Sequence, residues 1–147
     1  MQEAEVTNAG ASRQVRIGPV AVGGGAPLAL IAGPCVIESV EIAFQVASFL
    51  KSCCQSLAIP LIFKSSYDKA NRSSVTSFRG PGLVDGLAVL DRIRQELEIP
   101  VISDVHRVEE VQPAAEVLDI LQIPAFLCRQ TDLLLAVAKT GKPVNVK

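Results

Sequence analysis

One apolar motif occurs twice in this chain and sets the frame for everything else. Ile59-Pro60-Leu61-Ile62 recurs as Ile99-Pro100-Val101-Ile102. Each run is short, β-branched and uncharged, as a strand buried on both faces must be. Between them Leu83, Leu87, Leu90, Arg94 and Leu97 recur at helical spacing. Two such strands joined through a helix imply a right-handed βαβ unit in a parallel sheet.

The same rhythm extends in both directions. Upstream, Leu28-Ala29-Leu30-Ile31-Ala32 reads as a strand. A helix capped by Ser39 follows, with Glu41 in its first turn and an apolar stripe of Ile42, Val46, Phe49, Cys53 and Leu57. Downstream come a short helix over residues 108–115, a strand over 117–121 and a helix over 133–139, closed by Gly141 and Pro143. Val144-Asn145-Val146-Lys147 opens a fifth strand. Ahead of this series, Val15-Arg16-Ile17 and Val20-Ala21-Val22 flank Gly18-Pro19 as a small hairpin. Residues 1–14 read as a frayed tail, and Gly23-Gly24-Gly25 as a flexible joint.

Composition excludes several functions. The net charge of −1 exerts no overall pull on nucleic acid or an anionic membrane. With no Trp and one Tyr there is no platform for stacking bases. The uncharged stretch over residues 19–37 is too rich in Pro and Gly to span a bilayer as a helix. Cys35, Cys53, Cys54 and Cys128 form no CxxC pair, and the acidic start has no leader-like apolar core. A reduced, cytoplasmic setting is expected. The glycine run is no dinucleotide fingerprint, so no nucleotide cofactor is expected.

Charge is concentrated in one place. The stretch Phe63-Lys-Ser-Ser-Tyr-Asp-Lys-Ala-Asn-Arg-Ser-Ser-Val-Thr-Ser-Phe-Arg-Gly-Pro-Gly82 sets Lys64, Lys69, Arg72 and Arg79 against Asp68 alone, among short hydroxyl and amide side chains. A cationic, hydroxyl-rich loop leaving a strand suits a phosphorylated or carboxylated small molecule; a solvated surface loop is the plainer alternative. The strands also end in polar groups: Cys35 and Glu38, Lys64, Asp104 and His106, Gln122, and Lys147. That is the pattern of a (β/α) barrel's active face, although a doubly wound open sheet predicts something similar at its switch point.

Several motifs carry a resemblance. Gly33-Pro34-Cys35, Lys64-Ser65-Ser66-Tyr67-Asp68-Lys69-Ala70-Asn71-Arg72-Ser73-Ser74, Phe78-Arg79-Gly80-Pro81-Gly82, Asp104-Val105-His106 and Gln122-Ile123-Pro124-Ala125-Phe126-Leu127-Cys128-Arg129-Gln130-Thr131-Asp132 follow one another in this order. In these the chain resembles the N-terminal half of the 3-deoxy-D-manno-octulosonate-8-phosphate synthases, also called 2-dehydro-3-deoxyphosphooctonate aldolases. The related 3-deoxy-D-arabino-heptulosonate-7-phosphate synthases share the Gly-Pro-Cys element but usually carry a Lys-Pro-Arg-Thr-Ser type block. The resemblance implies an α/β fold, the first half of a TIM (β/α)8 barrel with about five parallel strands preceded by a short β-hairpin. Residues 1–27 would be tail, hairpin and joint, and residues 28–147 the partial barrel domain, cut at its fifth strand.

The implied reaction condenses phosphoenolpyruvate with arabinose 5-phosphate and water, releasing phosphate, on the way to lipopolysaccharide. Two phosphorylated substrates need paired cations to share a pocket, an enol carbon held near an aldehyde, and fixed stabilisation of developing charge. By resemblance Lys69, Gln122, Arg129 and Lys147 hold phosphoenolpyruvate, while Asn71, Arg72 and Ser73 hold the pentose phosphate, across a subunit boundary in a homotetramer. Lys69, Asn71 and Asp104 are the implied catalytic residues, and Lys64, Ser66 and His106 line the pocket. Cys35 matches the position that marks members using a divalent metal (Zn, Mn or Fe), although a lone Cys is more often a small buried hydrophobe. Arg79 reads equally as a substrate contact or as half of a salt bridge fixing the loop. Cys53, Cys54 and Cys128 read as packing residues, and Asp119 and Asp132 as caps or solvated acids.

A closed barrel takes about 250 residues and eight strands, and 147 residues supply five. The expectation is an N-terminal fragment, inactive alone. A heptulosonate synthase and a non-catalytic phosphate-binding half-barrel are the alternatives.

Overall fold

The prolines that open three of the parallel strands do the same job in the computed structural model, which describes residues 13–147. Proline cannot donate to a ladder, but its carbonyl accepts. Pro60 O takes the Leu30 N–H, Pro100 O the Phe63 N–H and Pro143 O the Leu121 N–H, at 2.8, 2.8 and 3.1 Å. Proline thus marks the first rung between neighbouring strands.

The chain opens with the antiparallel hairpin β1 (Val15–Ile17) and β2 (Val20–Val22). Gly18 adopts φ 54° at its turn, where the left-handed region favours glycine. The expected frayed tail lies largely outside the described residues. The main fold then runs β3 (Leu30–Ala32), α1 (Val40–Ser56), β4 (Leu61–Lys64), α2 (Leu83–Leu97), β5 (Val101–Asp104), α3 (Val108–Val117), β6 (Ile120–Ile123), α4 (Thr131–Lys139) and β7 (Val144–Val146). A short 3₁₀ turn, Ala125–Leu127, precedes α4. The five later strands pair in sequence order and all in parallel, β3-β4-β5-β6-β7. This is the expected half-barrel with its hairpin, and the doubly wound alternative, whose strand order reverses at a switch point, is excluded. Among the described residues the two outer strands are paired along one edge only, with Leu30, Ile31, Val144 and Val146 exposed.

Alternation sorts side chains to the two faces. Phe63, Val101, Leu121 and Ile123 point outward into the core shared with the helices, alongside Leu90, Ile93, Val111 and Val137. Ile62, Ile102 and Ile120 point inward and meet Ile17 and Val20 of the hairpin, which closes the lower end of the arc. Above this apolar layer the next inward positions are Lys64, Asp104 and Gln122.

Two sequence expectations need correction. The buried face of α1 is not the stripe Ile42, Val46, Phe49, Cys53 and Leu57; Ile42, Phe49 and Leu57 are exposed. Ala43, Ala47 and Cys54 are buried instead. Small side chains let the helix lie close on the sheet, which a search for bulky residues overlooks. The fourth strand of the arc begins at Ile120, because the helix before it runs on to Val117. Leu118, fully buried and extended, makes the turn, and Asp119 accepts the Val101 N–H at 2.9 Å, joining β5 to the following segment. Ser39 caps α1 as expected, accepting the Ile42 N–H at 3.1 Å.

Tyr67, fully buried just past β4, is gripped by glycines. A Cβ on Gly86 of α2 would lie 2.3 Å from Tyr67 Cβ, and one on Gly80 would lie 2.4 Å from Tyr67 O. Gly86→Ala is therefore expected to destabilise the fold by about 1–3 kcal/mol, the usual cost of overpacking. Urea midpoints measure this, and an unchanged midpoint would show that the helix has room to shift.

Candidate active site

The strand ends carry a buried carboxylate. Asp104, 5% exposed, is the last residue of β5 and faces the inside of the arc. A buried charge must be paired and hydrogen-bonded. The Ser66 hydroxyl donates to Oδ2 at 2.5 Å, and the Gln122 side-chain amide of β6 donates to Oδ1. Lys69 Nζ and Lys64 Nζ stand 3.6 and 3.9 Å from Oδ2. Gln122 in turn accepts from the Asn145 amide of β7 at 2.8 Å, extending the network across three neighbouring strands. Burial pushes the Asp104 carboxyl upward, but Ser66, Lys64, Gln122 and Lys69 together outweigh it and hold the group below the usual range. Burial pushes the Lys64 ammonium down, against Asp104 and assisted by Lys69; Cys35 and Lys147 also act on it.

Lys64, Ser66, Lys69, Asp104 and Gln122, all expected from the sequence, thus form one cluster. Cys35 and Lys147 stand at its margin, both exposed. Among the described residues, none of the other predicted site residues hydrogen-bonds or ion-pairs with Asp104. Asn71, Arg72 and Ser73 are exposed on the loop, where Arg72 Nε donates to Phe78 O at 3.1 Å. Arg72 lines a cleft of about 530 Å³ with Val36, Glu38, Ser77 and Phe78. Arg129 is exposed beyond the 3₁₀ turn. Arg79 forks onto Asp68 at 2.8 and 2.6 Å, so the loop-fixing salt bridge is the reading that holds. Of the four cations in the basic stretch, then, only Lys64 and Lys69 meet at Asp104. His106 packs edge-on to Tyr67, its ring 6.1 Å away, beside Glu110.

Three contributors were missed. Asn145 shares the inward phase of its strand with Lys147, a signal legible in the alternation. Tyr67 and Glu110 are joined by a 2.8 Å hydrogen bond between distant segments, which no local pattern encodes.

A metal does not fit the described residues by themselves. No three His, Cys, Asp or Glu side chains among them are grouped to hold an ion, and Cys35 supplies a single donor where three or four are needed. All four cysteines are free thiols. Among the described residues no helix is long and apolar enough to cross a membrane.

Parallel strands joined through helices, with polar side chains gathered at the strands' C-terminal ends, define the class as a (β/α)-barrel type enzyme fold, present here as a half-barrel. The chain belongs to the DAHP synthetase I family, which it matches over residues 4–147. Its curated relatives include 2-dehydro-3-deoxyphosphooctonate aldolases. That of Geobacter sp. (strain M21) is 59% identical over 136 residues, covering 92% of this chain and 50% of the relative. That of Geobacter metallireducens is 62% identical over 136 residues with the same shares. That of Desulfotalea psychrophila is 61% identical over 128 residues, 87% of this chain and 46% of the relative. The chain spans about half the length of the curated relatives it matches.

Asp104→Asn leaves Lys64 and Lys69 facing each other without their shared anion. It is expected to cost about 2–4 kcal/mol near neutral pH. The sign with pH follows from the lowered carboxyl. Its stabilisation is complete above the ordinary aspartate value of about 3.9 and fades as pH falls through the lower folded value. Denaturant midpoints across this acid range should therefore converge for the two proteins, whereas a constant gap would contradict the charge argument.

Proposed function

We propose that this half-barrel supplies the phosphoenolpyruvate side of an octulosonate-phosphate synthase site. The whole reaction joins phosphoenolpyruvate, arabinose 5-phosphate and water to 3-deoxy-D-manno-octulosonate 8-phosphate and phosphate. One observation carries the reading: Lys64 and Lys69 share a single buried carboxylate at the mouth of the arc. A second carboxylate or a phosphate arriving there would meet two ammonium groups already desolvated and held in place. Gln122 and Asn145 offer amides beside them, and Lys147 adds charge at the margin. Arg129, exposed nearby in sequence, supplies the fork that a phosphate accepts.

The pentose phosphate falls to Asn71, Arg72 and Ser73. Their exposure supports binding at a boundary with a second copy in a homo-oligomer. In this reading Asp104, Lys69 and Asn71 are the catalytic residues: Asp104 fixes both lysines, and Lys69 and Asn71 orient the two substrates. Cys35 would supply one thiolate to a divalent-metal set whose other donors the described residues do not group with it. A cytoplasmic location suits such a biosynthetic reaction.

Two measurements test this. Calorimetry should show phosphoenolpyruvate binding that Lys69→Ala weakens about 10- to 100-fold, the worth of one charge-assisted contact; equal affinity would remove Lys69 from the site. Given both substrates, the 147-residue chain should release no measurable phosphate, because the described residues supply five parallel strands of a barrel that closes with eight. Release at a relative's rate would contradict that. Release with erythrose 4-phosphate alone would move the assignment to the heptulosonate sister reaction.

A further inference from the structure

His106 has a buried nitrogen with no hydrogen-bond partner among the described residues. Its side chain is 6% exposed, and Nδ1 is buried and unpaired. Glu110 Oε2 stands 3.6 Å away, beyond hydrogen-bond range but well within the reach of charge. That same oxygen accepts the Tyr67 hydroxyl at 2.8 Å and the His106 backbone N–H at 2.9 Å. Glu110 lies in the first turn of α3, where the helix dipole favours a carboxylate. Burial pushes its carboxyl up, but the adjoining His106 and Tyr67 hydroxyl more than reverse this and bring it to about 2, so it is ionised at neutral pH. Tyr67 cannot retreat, because Gly80 and Gly86 close on it. Burial, then Glu110, raises its phenol far above the usual range, so it remains a donor.

A neutral imidazole carries its proton on one nitrogen only. A lone pair on Nδ1 facing an ionised carboxylate in a buried place is repelled, whereas an N–H there is attracted. We propose that Glu110 is the positioning residue for His106: its Oε2, tied to the Tyr67 hydroxyl and to the histidine backbone, keeps the ring proton on Nδ1 and leaves Nε2 as the acceptor. This deepens the proposed function and rests on that reading only for its use. An acceptor nitrogen just past Asp104 suits a water or a substrate hydroxyl, not a phosphate oxygen. The other charges in reach are Asp68 and Asp104, which act on Tyr67, and Arg79, which acts on Glu110. None of them offers Nδ1 another acceptor.

His106 is the single histidine of the chain, so its ring gives one imidazole signal without assignment by mutagenesis. In ¹⁵N-labelled protein at about pH 8.5, above the ordinary histidine range, long-range ¹H–¹⁵N spectra report which nitrogen carries the proton. The expected result is the Nδ1–H tautomer, with Nε2 showing the shift of an unprotonated nitrogen. The Nε2–H tautomer, the usual form in water, would overturn the proposal in the unmodified protein alone. In a folded Glu110→Gln variant the balance should swing toward Nε2–H, while Tyr67→Phe, which keeps the carboxylate, should retain Nδ1–H. An unmoved tautomer in Glu110→Gln would also overturn it. No ligand is needed, so a negative result leaves the phosphoenolpyruvate site standing, and a failure to bind phosphoenolpyruvate leaves the tautomer assignment standing.

Discussion

A carboxylate carried to the inside of a strand arc is the constraint on which this structure depends. Asp104 follows Ile102 in the inward phase of β5, and nothing about the apolar layer below it tolerates a charge. It is tolerable because neighbouring strands and the loop after β4 deliver donors to both of its oxygens. Ser66 and Gln122 complete hydrogen bonds, and Lys64 and Lys69 supply countercharge. The same four partners that make the charge affordable also place two cations at the mouth of the arc, so stability and anion binding share one device.

The loop between β4 and α2 is held from behind so that its front can carry chemistry. Val36 bridges to Ser66, the Ser65 hydroxyl donates to Pro34 O at 3.1 Å, and the Lys69 N–H donates to Arg79 O at 2.8 Å. The Arg79–Asp68 fork ties the two arms together. Tyr67, locked between glycines, links this loop to α3 through Glu110. The segment from Ala70 to Thr76, by contrast, is exposed and contributes little to the core. A rigid base and an open tip suit a loop whose outer residues complete a site only when something else arrives.

Much of this was legible in the sequence because its signals are local. Buried parallel strands announce themselves as apolar runs, and Ile59-Pro60 and Ile99-Pro100 mark where two of them begin. The central cluster was readable too, since Lys64, Asp104 and Gln122 stand at strand ends. What escaped was whatever depends on distance in sequence. The packing of α1 through Ala43 and Ala47 is set by how closely the sheet approaches, not by hydrophobicity. Arg79 carried the same letters whether it bound substrate or Asp68, and only the fold decided between them. The Tyr67–Glu110 pair joins β4's loop to α3 and has no periodicity to betray it.

The central claim is that Asp104 and its donors act as one unit rather than as separate contacts. A double-mutant cycle of Asp104→Asn and Ser66→Ala, read from denaturant unfolding at neutral pH, tests it most directly. Groups sharing one buried network couple by about 0.5–3 kcal/mol, and a coupling of at least about 1 kcal/mol is predicted here. Additive losses would contradict the account, because they would mean that the hydroxyl and the carboxylate stabilise the strand ends independently.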